Sequence, residues 1–251
     1  MEKETFLDKT AKKAFESARV QQSWTVHMQM FGPILEPAFR EDYPTKVNLC
    51  AALNRISRRE SQKGMELLEK IRKCCTCDAD MAALAFFVGL CYEMGGEKEK
   101  MLQWYAEAGK YHHRFYLPYL KLAKAAQSQS QLEEAKEYYE AAIACFPETP
   151  ETKQDEIILG SAYANLASCL IMQHQYPAAE SAWKKAQQFP LPPGADATAA
   201  ILYAAMGDAE TTASYIEALK RSFPAMVGQI ETMTRQILAG EHPEFMKQEG
   251  R

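Results

Sequence analysis

The stretch EEAKEYYEAAIACFP, residues 133–147, reads as one helix, because its only proline stands at the end and it holds no glycine. Its apolar side combines small residues such as Ala135 and Ala142 with bulky ones such as Tyr139. Leucine at the alanine positions would bury more apolar area. The use of alanine there predicts that a second helix approaches so closely that larger side chains do not fit.

The rest of the chain is also predicted to be helical. Apolar residues recur at intervals of three and four, and no run of alternating β-branched residues indicates a strand. Glycine and proline fall between the periodic segments, in MGGEK (94–98), FPETPE (146–151), FPLPPGAD (189–196), MGD (206–208) and FP (223–224). The pieces between these breaks have the length of ordinary helices, so the sequence predicts an all-α fold.

A spacing of 34 residues relates two neighbouring parts of the chain. Seven positions keep a similar size pattern after this shift: Ala85, Val88, Gly89, Met101, Tyr105, Ala108 and His113 correspond to Tyr119, Leu122, Ala123, Ala135, Tyr139, Ala142 and Pro147. In this spacing and pattern, over about residues 45–225, the chain resembles the tetratricopeptide repeat (TPR) family. The resemblance implies a right-handed superhelical array of about five helix–turn–helix hairpins with helical caps, stabilised by stacking of neighbouring repeats.

The sequence is accordingly divided into N-terminal capping helices (1–44), the repeat array (45–225), and a C-terminal capping helix with a tail (226–251). Residues 3–31 suggest one long helix that stops near FGP (31–33). The insertion ETPETKQDEI after the third repeat is expected to lengthen the next helix at its N-terminal end.

The C-terminal segment carries a regular apolar stripe. Met226, Ile230, Met233 and Ile237 lie on one face of a predicted final helix, for which Gly240 is the expected stop. The remaining residues, EHPEFMKQEGR, are predicted to form a frayed tail.

No arrangement of residues in the sequence indicates catalysis. The sequence contains no G-x-S-x-G nucleophile pattern, no phosphate-binding loop and no H-E-x-x-H zinc pattern. The cysteines of CCTC (74–77) are candidates for a metal site with His112 or His113, but the second cysteine pair of a structural zinc site is missing. The sequence therefore predicts a non-catalytic protein without a metal or a cofactor.

Charge and cysteine usage limit the class of partner and the compartment. The net charge of −4 argues against nucleic acid, although residues 1–75 hold 14 Lys and Arg against 10 Asp and Glu. No apolar stretch reaches the roughly 20 residues that a membrane span needs, and the N-terminus lacks the apolar region of a secretory signal. Seven dispersed cysteines suit free thiols, so we expect a cytoplasmic protein.

The resemblance to TPR proteins also implies a ligand site on the concave face of the array. By this analogy the inward positions are Phe86, Phe87 and Leu90 in the second repeat, Lys121 and Lys124 in the third, and Asn165 and Ser168 in the fourth. The phenylalanines and leucine would form an apolar pocket, while lysine and asparagine would hold a carboxylate or a peptide backbone. The alternative is that the lysines are ordinary solvated residues and the phenylalanines are core.

A basic stretch, RISRRESQK (55–63), allows two interpretations. Its Arg55, Arg58, Arg59 and Lys63 either grip an acidic or phosphorylated partner or are cations placed at a helix end, where the helix dipole favours them.

These observations together predict a scaffold that binds a protein or peptide on a curved helical surface. The lysines of the predicted site allow this protein or peptide to be acidic. Two other functions stay open. One is self-association, for example a homodimer through the stripe of residues 226–237, and the other is a regulatory sensor that acts through a partner protein.

Overall fold

The computed structural model describes residues 6–39, 42–111, 115–147, 149–150 and 152–241. Within these residues all regular structure is helical, which confirms the predicted all-α class. The α-helices are α1 (Phe6–Phe15), α2 (Ala18–Leu35), α3 (Tyr43–Ser57), α4 (Ser61–Arg72), α5 (Asp78–Gly95), α6 (Lys98–Tyr111), α7 (Tyr116–Ser128), α8 (Leu132–Ala144), α9 (Lys153–Met172), α10 (Tyr176–Ala186), α11 (Asp196–Ala205), α12 (Ala209–Ser222) and α13 (Val227–Leu238). None of these helices combines the length and apolar character needed to cross a membrane.

Five helix pairs follow one another along the chain, namely α3–α4, α5–α6, α7–α8, α9–α10 and α11–α12, each joined by only two or three residues. The five turns share one backbone geometry. A residue with left-handed φ stands in each, at Arg59, Gly96, Ser130, His174 and Gly207. The amide of the next residue then donates to the carbonyl five residues earlier, at 2.9–3.0 Å, which satisfies the end of the first helix as in a Schellman motif.

The second helices of the five pairs bury equivalent positions, and those of α6 and α8 are separated by the predicted 34 residues. Three sets of residues are buried: Gly64, Met101, Ala135, Ala179 and Thr212; then Leu68, Tyr105, Tyr139 and Trp183; then Ile71, Ala108, Ala142, Ala186 and Leu219. Ala135 and Ala142 have no exposed surface, as expected where another helix packs closely against them. The small residues are therefore part of the packing and are not surface positions.

The chain forms two compact units, Met1–Leu122 and Ala123–Arg251, which divide within α7. The core of the first unit contains a cluster of aromatic rings. Phe86 on α5 lies 5.4 Å, between ring centroids, from both Tyr105 and Phe115, and Phe87 lies 5.2 Å from Phe31 of α2. This cluster packs α2 and α6 against α5.

The core of the second unit ends in α11, α12 and α13. Trp183 of α10 is buried, and its indole N–H donates to the Tyr215 hydroxyl at 3.1 Å. Ile230 of α13 belongs to a buried cluster with Ala200 and Leu219. Gly240, with φ of 80°, follows the end of α13 as predicted. The three-part division of the chain made from the sequence stays a prediction.

The N-terminal segment differs from the single long helix that the sequence suggested. Helix α1 ends at Phe15, and α2 begins after Ser17, which has extended backbone angles. Helix α2 extends in name to Leu35, but Phe31 inside it has non-helical backbone angles, so the regular helix breaks at FGP (31–33), where the stop was expected, and a short helical stretch follows. Proline at position 33 has no amide hydrogen to donate to the preceding turn, which accounts for a kink at this point. Residues 3–5 of the predicted helix lie outside the described residues.

Helix α9 is lengthened as expected. It has 20 residues and the first helix of the preceding pair, α7, has 13. The Thr152 hydroxyl caps α9 by accepting the Asp155 amide at 3.1 Å. Of the predicted insertion, positions 148 and 151 lie outside the described residues, as does the predicted tail beyond Glu241.

Candidate functional site

The described structure places Phe86 and Phe87 in the interior of the first unit. Their side chains are 1% and 0% exposed, so they do not form the exposed pocket that the sequence analogy suggested. The reason is that α5 is covered on several sides, and every residue from Ala82 to Gly89 is buried. The nearly unbroken apolar run AALAFFVGLC was the sequence signal for this all-round burial.

Leu90, the third apolar residue of that prediction, does line a surface cavity of the first unit. The cavity has a volume of about 450 Å³ and is lined by Arg59, Leu90, Glu93, Met94 and Lys121. We call it the α5 groove, because α5 supplies its central residues. It combines an apolar strip, Leu90 and Met94, with three charged side chains. The groove thus brings together two residues predicted for the site, Leu90 and Lys121.

Glu93, which the sequence analysis did not identify, organises the charges of the α5 groove. Its two carboxylate oxygens accept hydrogen bonds from the Lys121 ammonium group at 2.8 and 2.9 Å. The same carboxylate accepts the Tyr105 hydroxyl at 2.5 Å. Burial, together with this carboxylate, raises the pKa of Tyr105, so the phenol stays protonated and donates. The positive charge of Lys121 is therefore partly neutralised by Glu93.

Arg59 supplies the second cation of the α5 groove. It stands in the left-handed turn between α3 and α4, with φ of 61°, and is exposed. Among the residues that the structure describes, Arg59 has no ion-pair partner. With Lys121 and Glu93 it gives the groove one net positive charge. The basic stretch marked Arg59 as a candidate cation, but the sequence gave no reason to place it beside Leu90.

The other cations of the basic stretch have different surroundings. Arg55 lies in the last turn of α3 and pairs with Glu60 at 2.8 Å, and Lys63 pairs with the same carboxylate at 3.2 Å. These two cations lower the pKa of Glu60. Arg55 thus fits the helix-end interpretation, and Lys63 is occupied by an ion pair.

The predicted residues of the second unit occupy ordinary surface positions. Lys124 is exposed on α7, whereas Asn165 and Ser168 are half-buried on α9. Asn165 and Ser168 are three residues apart in one helix, so their side chains are neighbours on its surface. Their role in binding stays a prediction.

The cysteines of CCTC lie directly before α5, with Cys77 at its N-cap. Cys74 and Cys77 are exposed and Cys75 is half-buried. Burial, with a smaller contribution from the Asp80 carboxylate, raises the pKa of the Cys75 thiol to about 12. In the part of the chain that the structure describes, no three His, Cys, Asp or Glu residues are arranged to hold a metal ion. His112 and His113 lie outside that part.

The C-terminal stripe, predicted as one face of the final helix, packs within its own unit. Ile230 is buried against α11 and α12, and Met226 and Met233 pack on the same cluster. These three side chains are therefore engaged in intrachain contacts. A homodimer formed through this stripe stays a prediction.

Comparison with known proteins extends the description of the fold. No protein-family model matches the chain, and no curated protein sequence matches it. A solved structure from the functional characterization of Pseudomonas aeruginosa PilF is similar to this chain, with a TM-score of 0.64. The similarity covers 91% of this chain and 99% of that chain at 18% sequence identity, so it concerns the fold alone. With the five repeated helix pairs, it identifies a TPR-like helical repeat fold.

Proposed function

We propose that this protein is a non-catalytic scaffold that binds a protein or peptide in the α5 groove. The observation that supports this proposal is the combination of an apolar strip, Leu90 and Met94, with the cations Arg59 and Lys121 in one cavity. Peptide sites need both features, since apolar contacts supply affinity and charged groups fix orientation and register. The TPR-like fold is compatible with such a role, because repeat folds offer extended binding surfaces.

The chemistry of the groove favours a segment with one acidic group beside an apolar side chain. The Arg59 guanidinium is a fork that matches a carboxylate in a bidentate manner, whereas the Lys121 ammonium acts as a point charge. The apolar side chain would pack on Leu90 and Met94, the latter being adaptable in shape. Because the groove exists before binding, little ordering of the protein opposes association.

Two further elements of the proposal extend beyond this groove. In the second unit, Lys124, Asn165 and Ser168 remain candidates for ligand contacts of their own. The expected location is the cytoplasm, which is supported by the lack of a disulfide among the described cysteines, since reduced cysteines are usual in that compartment.

The experiment is a selection of 12-residue peptides displayed on phage against the full chain, followed by calorimetric titration of the selected peptides. We expect enrichment of peptides with an acidic residue next to an apolar one. The variant Arg59→Met/Lys121→Met should bind them at least tenfold more weakly, since a lost charged hydrogen bond costs about 1.5–3 kcal/mol. Selection of no peptide, or equal binding by this variant, would refute the groove as the site.

Two variants control this measurement. Lys70→Met/Lys73→Met removes two exposed cations of the same unit that do not line the groove, and should bind like the wild type. Glu93→Gln keeps an acceptor for the Tyr105 hydroxyl but frees Lys121, so acidic peptides should bind it more tightly. Tighter binding by Glu93→Gln would separate a charge effect from a general loss of folding.

A further inference from the structure

A second cavity of the first unit lies between α2 and α3, and none of its lining residues lines the α5 groove. Its volume is about 620 Å³, which lies within the range of small-molecule sites. The polar residues of its lining are Arg19, Gln22, Ser23, His27, Asn54 and Arg58. Three aliphatic side chains, Val20, Val26 and Val47, also line it. We call it the α2–α3 cavity. A ligand that fits it offers both polar and apolar groups.

His27 is the unusual member of this cavity. Its side chain is only 2% exposed, yet among the described residues neither ring nitrogen has a hydrogen-bond partner. Asn54 and Ser23, beside it, bond to each other at 2.8 and 3.1 Å. Burial lowers the pKa of His27, and the Asn54 side chain opposes part of this shift. The imidazole is therefore mainly neutral at pH 7, and its buried N–H, which has the Asn54 side chain beside it, makes no hydrogen bond of good geometry within the described residues.

Two arginines make the same cavity positive. Arg19 on α2 and Arg58 at the end of α3 are exposed, and neither has an ion-pair partner within the described residues. A third arginine, Arg55, is occupied by Glu60 at 2.8 Å. No Asp or Glu is found among the described residues that line the cavity. Guanidinium groups without an ion-pair partner among the described residues, lining the same cavity as a buried N–H, are suitable donors for an oxyanion.

We propose that the α2–α3 cavity binds a small organic ligand with a carboxylate or phosphate group. The Arg19 and Arg58 guanidinium groups hold the oxyanion, and the His27 N–H donates to the same ligand. The valine side chains contact its apolar body. This binding site is separate from the α5 groove, so the failure of one proposal leaves the other standing.

The test follows the His27 side chain directly by long-range ¹H–¹⁵N NMR of the full chain. Its signals are assigned by comparison with His27→Gln. Two probes are titrated at constant ionic strength, inorganic phosphate and hexanoate, because surface attraction alone varies with salt. Support requires a saturable shift of the His27 signals. A response to phosphate alone assigns a phosphate ligand, and a response to hexanoate assigns a carboxylate with an apolar body.

The arginine variants decide whether the cavity is responsible. Arg19→Gln/Arg58→Gln should weaken binding of the responding probe at least tenfold. Both side chains are exposed, so this variant should fold like the wild type. The matched control, Arg221→Gln, removes an exposed arginine of α12 and should leave the affinity unchanged. No saturable response to either probe, or equal affinity in the double variant, would overturn the proposal.

Discussion

Asp80 is expected to be a main source of stability in the first unit. Its side chain is 3% exposed and accepts three hydrogen bonds, from the Phe39 amide at 2.7 Å, the Thr76 amide at 2.9 Å and the Thr76 hydroxyl at 3.1 Å. The carboxylate thereby joins the segment before α3 to the start of α5. Burial by itself would raise the pKa of Asp80, but the hydrogen bonds from Thr76 and Phe39 outweigh it, so the pKa is lowered.

The substitution Asp80→Asn tests this role with little change in shape. An amide has one acceptor oxygen, and its NH₂ group cannot accept the second backbone N–H. At least one charge-assisted hydrogen bond is lost, and one buried N–H is left without an acceptor. We therefore expect the free energy of unfolding to fall by about 3 kcal/mol. The measurement is urea unfolding followed by circular dichroism at pH 7.

The same carboxylate predicts a dependence on pH. The pKa of Asp80 in the folded state lies below the unfolded value of about 3.9. The ionised carboxylate therefore stabilises the fold fully above the unfolded pKa, and this stabilisation is lost as the pH falls through the folded pKa. The difference between wild type and Asp80→Asn should therefore shrink on acidification below about pH 4. The control is Asp78→Asn, an exposed acid in the same turn, expected to change stability by about 0.5 kcal/mol or less. Equal losses in the two variants at pH 7 would refute the reasoning.

Three further substitutions test the packing. Gly89→Ala would bring a new Cβ atom to 2.8 Å from a buried tyrosine ring. The free energy of unfolding should fall by about 1 kcal/mol, because overpacking exceeds the gain in helix propensity. The control is Gly228→Ala, where the new Cβ meets open space, so the substitution should be neutral or stabilising. Ala135→Leu should lower the free energy of unfolding by about 1–3 kcal/mol, because no surface of Ala135 is exposed. Tyr215→Phe should cost about 1–3 kcal/mol, because it removes the acceptor of the buried Trp183 N–H. All three are measured by urea unfolding.

Matched controls exist for the last two substitutions. Ala213→Leu places the same bulk on an exposed position of α12 and should have little effect on stability. Tyr203→Phe removes a hydroxyl whose contact with Glu180 is long, 3.5 Å, and should be nearly neutral. If either control lost as much stability as its partner substitution, packing or the Trp183 hydrogen bond would not be the cause.

The repeated hairpins were predictable because a common spacing fixed both the buried positions and the breaks between helices. The turns were predictable only in part. Gly96 and Gly207 mark left-handed positions directly, whereas Arg59, Ser130 and His174 adopt the same backbone angles without glycine. Such residues carry a local cost, of roughly 1–2 kcal/mol in the left-handed region, that the surrounding hairpin overcomes. The side chains of Arg59, Ser130 and His174 do not indicate left-handed backbone angles. These angles could be inferred only from the equivalent turns of the neighbouring repeats.

The candidate site was less predictable than the fold. An inward position inferred by analogy does not say whether a residue is covered by a neighbouring helix, and Phe86 and Phe87 are covered. The partnership of Lys121 with Glu93 joins residues 28 positions apart, and Arg59 enters the same groove from a turn. These relations depend on how α5 packs with the elements around it. A size pattern along one helix does not contain that information.

Glu93 occupies a repeat position that takes part in packing and also lines the α5 groove. Its hydrogen bond from Tyr105 has an equivalent 34 residues later, where the Tyr139 hydroxyl donates to Gln127 at 2.9 Å. In these two repeats the buried tyrosine has a side-chain acceptor at this position, a carboxylate in one and an amide in the other. A carboxylate additionally holds Lys121 and lowers the net charge of the α5 groove. Under the proposed function, an acidic segment would therefore compete with a carboxylate that the packing of the repeat also uses, which would favour selectivity for well-placed acidic groups over high affinity for any anion.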